Sequence, residues 1–153
     1  MVAGDISEQQ VYKWLAQVPD PEIPVLSILD LGIVRDVAVD DAVTVSLTPT
    51  YSGCPATEAI ESSVMRALRE HGVENPVIKR VISPPWTTDW ISDRGRQKLH
   101  EYGIAPPQKN LQIACPQCSS LQTELISEFG STACKASWRC CDCLEPFEYF
   151  KCL

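Results

Sequence analysis

The alternation of apolar and polar positions divides the chain into short elements of two periods. Ser7-Glu8-Gln9-Gln10 has the form of a capping box, with Ile6 and Val11 placed as a hydrophobic staple. Val11, Trp14, Leu15 and Val18 then share one face, which predicts a helix of about three turns running to Pro19. Asp20-Pro21-Glu22-Ile23-Pro24 is predicted extended, because each proline pushes its predecessor out of helical space. Residues 33–39 and 42–47 alternate with period two and predict a hairpin around Asp40-Asp41. Ile60, Val64, Ala67 and Leu68 return to helical spacing, so a helix is expected over 55–71, stopped by His71-Gly72. Pro76 opens a third strand, 77–82. The order helix, strand, strand, helix, strand suits an α+β domain, a small sheet with helices packed on one face.

Beyond this the pattern loosens. Trp86 and Trp90 stand in an irregular stretch, where they either lie over the sheet as a lid or line a docking surface. Ser92 is placed to cap a short helix, 93–102, which Gly103 and Pro106-Pro107 terminate. Residues 106–110 read as a linker. A domain boundary is therefore expected between 105 and 106, giving domains 1–105 and 106–153.

Composition changes the picture at one end only. A hydrophobic share of 44% in 153 residues is that of a globular chain with one ordinary domain and a small appendage. No apolar run approaches a membrane span, and the N-terminus lacks the basic start and apolar core of a signal peptide, so a cytoplasmic protein is expected. The net charge of −7 argues against non-specific binding to nucleic acid and suits docking on other proteins. Of eight cysteines, seven lie between Cys115 and Cys152. In a cytosolic chain such cysteines read as metal ligands or redox groups before disulfides.

Cys115-Pro116-Gln117-Cys118 and Cys140-Cys141-Asp142-Cys143 are two C-x-x-C pairs separated by 21 residues. Each pair can aim both sulfurs at one ion, and two pairs on facing hairpins complete a tetrahedron, a zinc-ribbon-like arrangement. Strands are expected within 121–129 and 135–139. Four thiolates suit zinc, the default here, but also iron or an iron–sulfur cluster. Cys134 and Cys152 form either a second, thinner ligand set or inert thiols. Cys141 lies inside the second knuckle and is free to point away. The eighth cysteine, Cys54, falls where strand gives way to helix, in Thr48-Pro-Thr-Tyr-Ser-Gly-Cys54-Pro55. With Pro55 at the first helical position, Cys54 is expected at the N-cap, where the helix dipole favours thiolate. Its alternative is a small buried residue filling a turn.

Asp20-Pro-Glu-Ile, Asp30-Leu-Gly-Ile-Val, the Thr48–Pro55 stretch and Pro84-Pro-Trp86-Thr-Thr together resemble the iron–sulfur cluster assembly domain family, which includes SufT-like maturation factors. The resemblance covers roughly residues 7–102. With Trp86-Thr-Thr-Asp-Trp90 and the 125–136 stretch Leu-Ile-Ser-Glu-Phe-Gly-Ser-Thr-Ala-Cys-Lys-Ala, nearly the whole chain is similar to the PaaD (also PaaJ) family of phenylacetyl-CoA epoxidase subunits. That resemblance implies an accessory, non-enzymatic role in aerobic phenylacetate degradation, assisting iron or iron–sulfur insertion into the oxygenase or its reductase. It implies those two proteins as partners, with a homodimer left open, and Cys54 as the ligand of a transient iron or cluster. Asp20, Glu22 and Asp30 match the family's acidic positions, and capping of turns and helix starts accounts for them equally. A structural subunit of the oxygenase and a cysteine-dependent enzyme are the alternatives. The second needs a base for Cys54, and neither His71 nor His100 is placed as one by the sequence.

Overall fold

In the computed structural model, residues 6–50, 55–109 and 112–151 are described. The chain forms two compact units, Met1–Ser92 and Asp93–Leu153.

The first unit is the α-β-β-α-β arrangement expected. Helix α1 (Glu8–Leu15) begins with the capping box, Ser7 Oγ accepting from the Gln10 N–H and Gln10 Oε1 from the Ser7 N–H. It stops at Leu15, short of the expected end at Pro19: the Gln17 and Val18 N–H groups bond only three residues back, to Trp14 O and Leu15 O. Strands β1 (Val34–Val39) and β2 (Val43–Leu47) form the antiparallel hairpin, and β3 (Val77–Arg80) lies parallel to β2, in the order β1-β2-β3. Helix α2 (Ala56–Glu70) supplies the crossover a parallel pair requires. The periods of the sequence become the core: Val43, Val45 and Leu47 are buried on one face of β2, and Ile60, Val64 and Leu68 on one face of α2. Each such side chain contributes roughly 1.5–3 kcal/mol.

The stretch 19–27 is not extended. It closes on itself, with the Asp20 N–H donating to Leu26 O at 2.8 Å and Ile28 N–H to Val18 O at 3.0 Å. The prolines set local dihedrals, but the buried Asp20 carboxylate decides the path, accepting from the N–H groups of Glu22 and Ile23 at 2.9 and 2.7 Å. Asp30 and Ser27 cap each other reciprocally at 3.1 Å. Two acids of the motifs are therefore turn caps. The turn at Gly32 (φ +73°) meets the tryptophan loop, where Trp86 is buried and donates its indole N–H to Leu31 O at 2.7 Å. Trp86 is thus a lid. Trp90 is half-buried, ending a 3₁₀ turn (Thr88–Trp90), with the Arg35 guanidinium 3.6 Å from its ring centroid. Arg35 reaches it from a bulge, since the β1–β2 register slips between Val34 and Asp36.

The second unit begins with α3 (Asp93–Glu101), followed by β4 (Ile104–Ala105), β5 (Thr123–Ser127), β6 (Lys135–Cys140) and β7 (Pro146–Phe150). Its sheet has the order β4-β7-β6-β5. Strands β5 and β6 fall where sequence placed them; β4 and β7 were not anticipated. β4 pairs with β7, and the Tyr149 hydroxyl bonds both the N–H and the carbonyl of Gln108 at 3.2 Å. The start of the expected linker is thus tied into the ribbon sheet. Lys135, 4% exposed, is held by Glu148 at 3.2 Å, and Glu148 also accepts from the N–H and hydroxyl of Ser131. Burial alone would raise the Glu148 carboxyl, but the Ser131 donors and Lys135 hold it below its ordinary range.

Candidate metal centre and the Cys54 position

Two tight turns carry the ribbon cysteines, and they repeat one geometry. The N–H of Cys115 donates to Ser120 O at 2.9 Å, and that of Cys140 to Glu145 O at 3.0 Å, five residues on in each case. The residue after each second cysteine is left-handed, Ser119 and Leu144 both at φ +65°. This reversal turns each pair of sulfurs to one side. As a result the sulfurs of Cys115, Cys118, Cys140 and Cys143 all lie within 4.8 Å of one another. Cys115 and Cys143 are 3.7 Å apart, and Cys118 and Cys140 3.5 Å. A tetrahedron with metal–sulfur bonds of about 2.3 Å has edges of about 3.8 Å, so the cluster fits one tetrahedral ion. Backbone N–H groups of Gln117 and Cys143 point at Cys115 and Cys140 sulfurs at 3.4 Å, which favours thiolate and orients the ligands.

The four thiols do not ionise alike. Cys140 is drawn down to about 6, first by the Cys143 N–H and against its own desolvation. Cys143 is pushed up to about 12: the Glu145 N–H lowers it, but burial and hydrogen bonds with the Cys140, Cys115 and Cys118 thiols prevail. Cys118 is also raised; the Ser120 backbone bond lowers it, but is outweighed by the Cys140 thiol and burial. One anion thus discourages the next, and a cation replacing the protons removes the conflict. A small core backs the site, with Ile113, Phe147 and Tyr149 packed around Cys115 and Cys140. Cys141 is exposed, its N–H donating to Gln122 O. Cys134 is buried beside Thr132 Oγ1 at 3.0 Å and is not a member of the four-sulfur group; Cys152 lies outside the described residues.

Cys54 also lies outside the described residues, with Tyr51, Ser52 and Gly53. Its surroundings in sequence are described. Pro55 has helical dihedrals (φ −66°, ψ −19°), stands at the N-cap of α2, and offers that helix no side-chain cap. The expected placement of Cys54 at the helix cap falls outside the described residues, while the helical dihedrals of Pro55 suit the start of α2. Thr48, at the end of β2, is 1% exposed, and its hydroxyl has no hydrogen-bond partner among the described residues. That orphan was not foreseen, since a threonine after an alternating strand reads as surface. A narrow cavity lined by Ile33, Leu47, Pro49, Thr50, Thr57 and Ile60 is bordered by the Glu61–Arg80 ion pair at 2.9 Å. A more open groove of about 950 Å³ runs along α2 and β3, and none of the sequence-predicted site residues lines it. His71 stacks on Trp14 with centroids 4.5 Å apart and its Nδ1 is 2.8 Å from Ala67 O.

Fold and thiol cluster define an iron–sulfur cluster assembly domain joined to a zinc-ribbon domain. The family described as iron-sulfur cluster assembly protein matches residues 8–77, and that described as PaaD zinc beta ribbon domain matches 101–151. A protein of Escherichia coli (strain K12) assigned as a subunit of 1,2-phenylacetyl-CoA epoxidase is 47% identical over 152 residues, 94% of this chain and 92% of that one. The chain belongs to the PaaD family of phenylacetyl-CoA epoxidase subunits. An Fe-S protein maturation auxiliary factor of Porphyromonas gingivalis is 35% identical over 96 residues, covering 61% of this chain and 90% of the relative. Among solved structures, a DUF59 domain of unknown function from Bacillus anthracis superposes with a TM-score of 0.56 at 31% identity, over 60% of this chain and 90% of the other. Among the described residues no helix is long and apolar enough to cross a membrane.

Proposed function

We propose that this chain is an accessory maturation factor for phenylacetyl-CoA epoxidase, assisting the insertion of iron or an iron–sulfur cluster into the oxygenase or its reductase in the cytoplasm. The observation that carries the reading is the union, in one chain of the PaaD family, of a cluster-assembly domain with a four-thiol ribbon. The naming of the Porphyromonas relative as a maturation auxiliary factor supports the same direction. Cys54 is the residue proposed to hold the transient cargo. A single thiolate binds iron loosely and needs a second ligand from the client or a small thiol, which suits transfer. The ribbon is proposed to hold zinc through Cys115, Cys118, Cys140 and Cys143, and sulfur separations of 3.5 and 3.7 Å favour a single ion over a larger cluster. The ribbon is proposed as the separately stabilised part of the chain.

No catalysis is assigned to the chain. His71 is occupied by Trp14 and Ala67 at the far end of α2, some 22 Å along a helix of 15 residues from its start. A second reading, a stoichiometric structural component of the oxygenase, draws on the Escherichia coli relative's description as a subunit. The two separate in one experiment. In cells carrying Cys54→Ala, maturation predicts epoxidase proteins at normal level but short of iron, and pre-loaded partners that turn over in vitro without this protein. A structural role predicts fully metallated partners that stay inactive until it is added. Full metal content in partners from the mutant strain overturns the maturation reading.

A further inference from the structure

Five of the nine exposed large hydrophobic residues among the described positions cluster on one part of the ribbon. Leu121, Leu125, Ile126 and Phe129 lie on β5 and its flanks, and Leu144 on the second knuckle is 68% exposed. The other four are scattered singly over the chain, as is ordinary for a surface. Strand β5 is the free edge of its sheet, paired on one side with β6. Edge strands are normally guarded by lysine, proline, other charges or a bulge; β5 (TELIS) has no lysine or proline and relies on Glu124 and a bulge. Its register with β6 slips between Leu125 and Ser127, leaving Ile126 as the extra residue of a bulge. A bulge interrupts alternation and re-aims a side chain, and here two consecutive branched residues are exposed. The knuckle is joined to this edge, because the Cys141 N–H donates to Gln122 O at 2.7 Å and Ser120 bonds Asp142.

The charge around the patch selects its occupant. Residues 112–151 carry five acids (Glu124, Glu128, Asp142, Glu145 and Glu148) against three bases (Lys135, Arg139 and Lys151). The bases are committed: Lys135 to Glu148, Arg139 to Glu124, and Lys151 to Glu128 O and the Phe129 ring. Four thiolates around a dication add two further negative charges to the knuckle side. A second copy would bring like charge against like, whereas a basic partner is drawn in. We propose that β5 and the Cys140–Leu144 knuckle dock an extended segment of the client protein that combines apolar residues with lysine or arginine. The inference rests on the maturation reading and adds to it the surface by which the client is held while Cys54 acts.

The test uses the full metal-loaded chain, with the purified oxygenase and reductase proteins of the epoxidase as separate probes in titration calorimetry. The double variant Leu125→Lys, Ile126→Lys should weaken binding to one of them by about tenfold or more, since apolar anchors at a patch centre dominate affinity. Wild-type binding should also weaken as salt is raised. Zinc content and melting curve should match wild type; Phe129→Ser, in the loop after β5, gives an independent second variant with the same expectation. Wild-type affinity in both variants, or no binding of the wild-type chain to either protein, overturns the proposal. So does a concentration-dependent dimer that the double variant abolishes, which would make a second copy the occupant. Cys54→Ala should bind the client normally yet leave it unloaded. Normal loading in Cys54→Ala cells would instead refute the maturation reading and leave the docking result standing on its own.

Discussion

Gly32→Ala should destabilise the first unit by about 1–4.5 kcal/mol. Two causes add at this position. Gly32 has φ +73°, and a left-handed residue with a Cβ costs roughly 1–2 kcal/mol. A Cβ there would also lie 2.5 Å from the Trp90 carbonyl oxygen and 2.8 Å from the Trp90 Cβ. Neither is the free end of a flexible side chain. The Trp90 N–H is bonded to Thr87 O, Ser92 N–H to Asp30 O, and the Arg35 guanidinium sits on the Trp90 ring. Relieving the overlap must therefore shift backbone, at a typical cost of roughly 1–3 kcal/mol. The reduced freedom of the unfolded chain returns about 0.4–1 kcal/mol. Gly72→Ala is the internal control: φ is +92° but nothing lies within 4 Å, so only the backbone cost should appear. The assay is native-state hydrogen exchange at β2 amides, which reports the first unit by itself. Equal losses for the two variants would refute the overlap argument, and no loss for either would refute the turn geometry.

Stripping the ribbon metal with a chelator should abolish exchange protection in β5, β6 and β7 and in the β4 pairing, while β2 stays protected. Protection retained after complete removal would mean that the core around Phe147 and Tyr149 suffices. Metal uptake should release protons and weaken between pH 8 and pH 6, because raised thiols such as Cys143, at about 12, must give up theirs; a pH-independent affinity contradicts this. Glu148 has a folded value below 4.5, so its stabilisation is fully present above 4.5 and is lost as pH falls through the folded value. Thermal melts of Glu148→Gln should lose that acid-side slope, and an unchanged slope assigns it elsewhere. Leu144→Gly should leave the ribbon as stable or up to about 1 kcal/mol more so, since it relieves a left-handed leucine; a clear loss in chemical denaturation would mean the exposed side chain contributes packing.

What the sequence revealed and what it hid divide along physical lines. Periodicity sufficed where one element buries one face, as with Val43, Val45 and Leu47 in β2 or Ile60, Val64 and Leu68 in α2. The capping box at Ser7 was legible because its partners are three residues apart. The meeting of the four ribbon sulfurs was legible for a similar reason, since C-x-x-C is a local geometry used twice. Strand β4 was hidden: Ile104-Ala105 is too short for a pattern and exists through its pairing with Glu148 and Tyr149, over 40 residues later. The closed turn at 19–27 was hidden because proline spacing announces extension, while the deciding bonds come from the Asp20 side chain. The unpartnered hydroxyl of Thr48 has no sequence signal at all, because burial at a strand's end depends on what packs over it.

The two thiol sites differ in what they can do, and the difference follows from ligand number. Four sulfurs within 4.8 Å, two of them with backbone donors, would complete the shell of one tetrahedral ion and leave it no position for exchange. Such a site holds the fold of a stretch too short to build a large core. Cys54 is the one cysteine before residue 115, so the first unit's own cysteines supply one sulfur, and any metal it holds keeps open positions for a second protein. Two of the three motif acids are engaged in turns, Asp20 with the N–H groups of Glu22 and Ile23, Asp30 with that of Ser27. Under the proposed maturation role, a closed ribbon site and an incomplete site at Cys54 would divide the work: one would keep the fold, the other would let go.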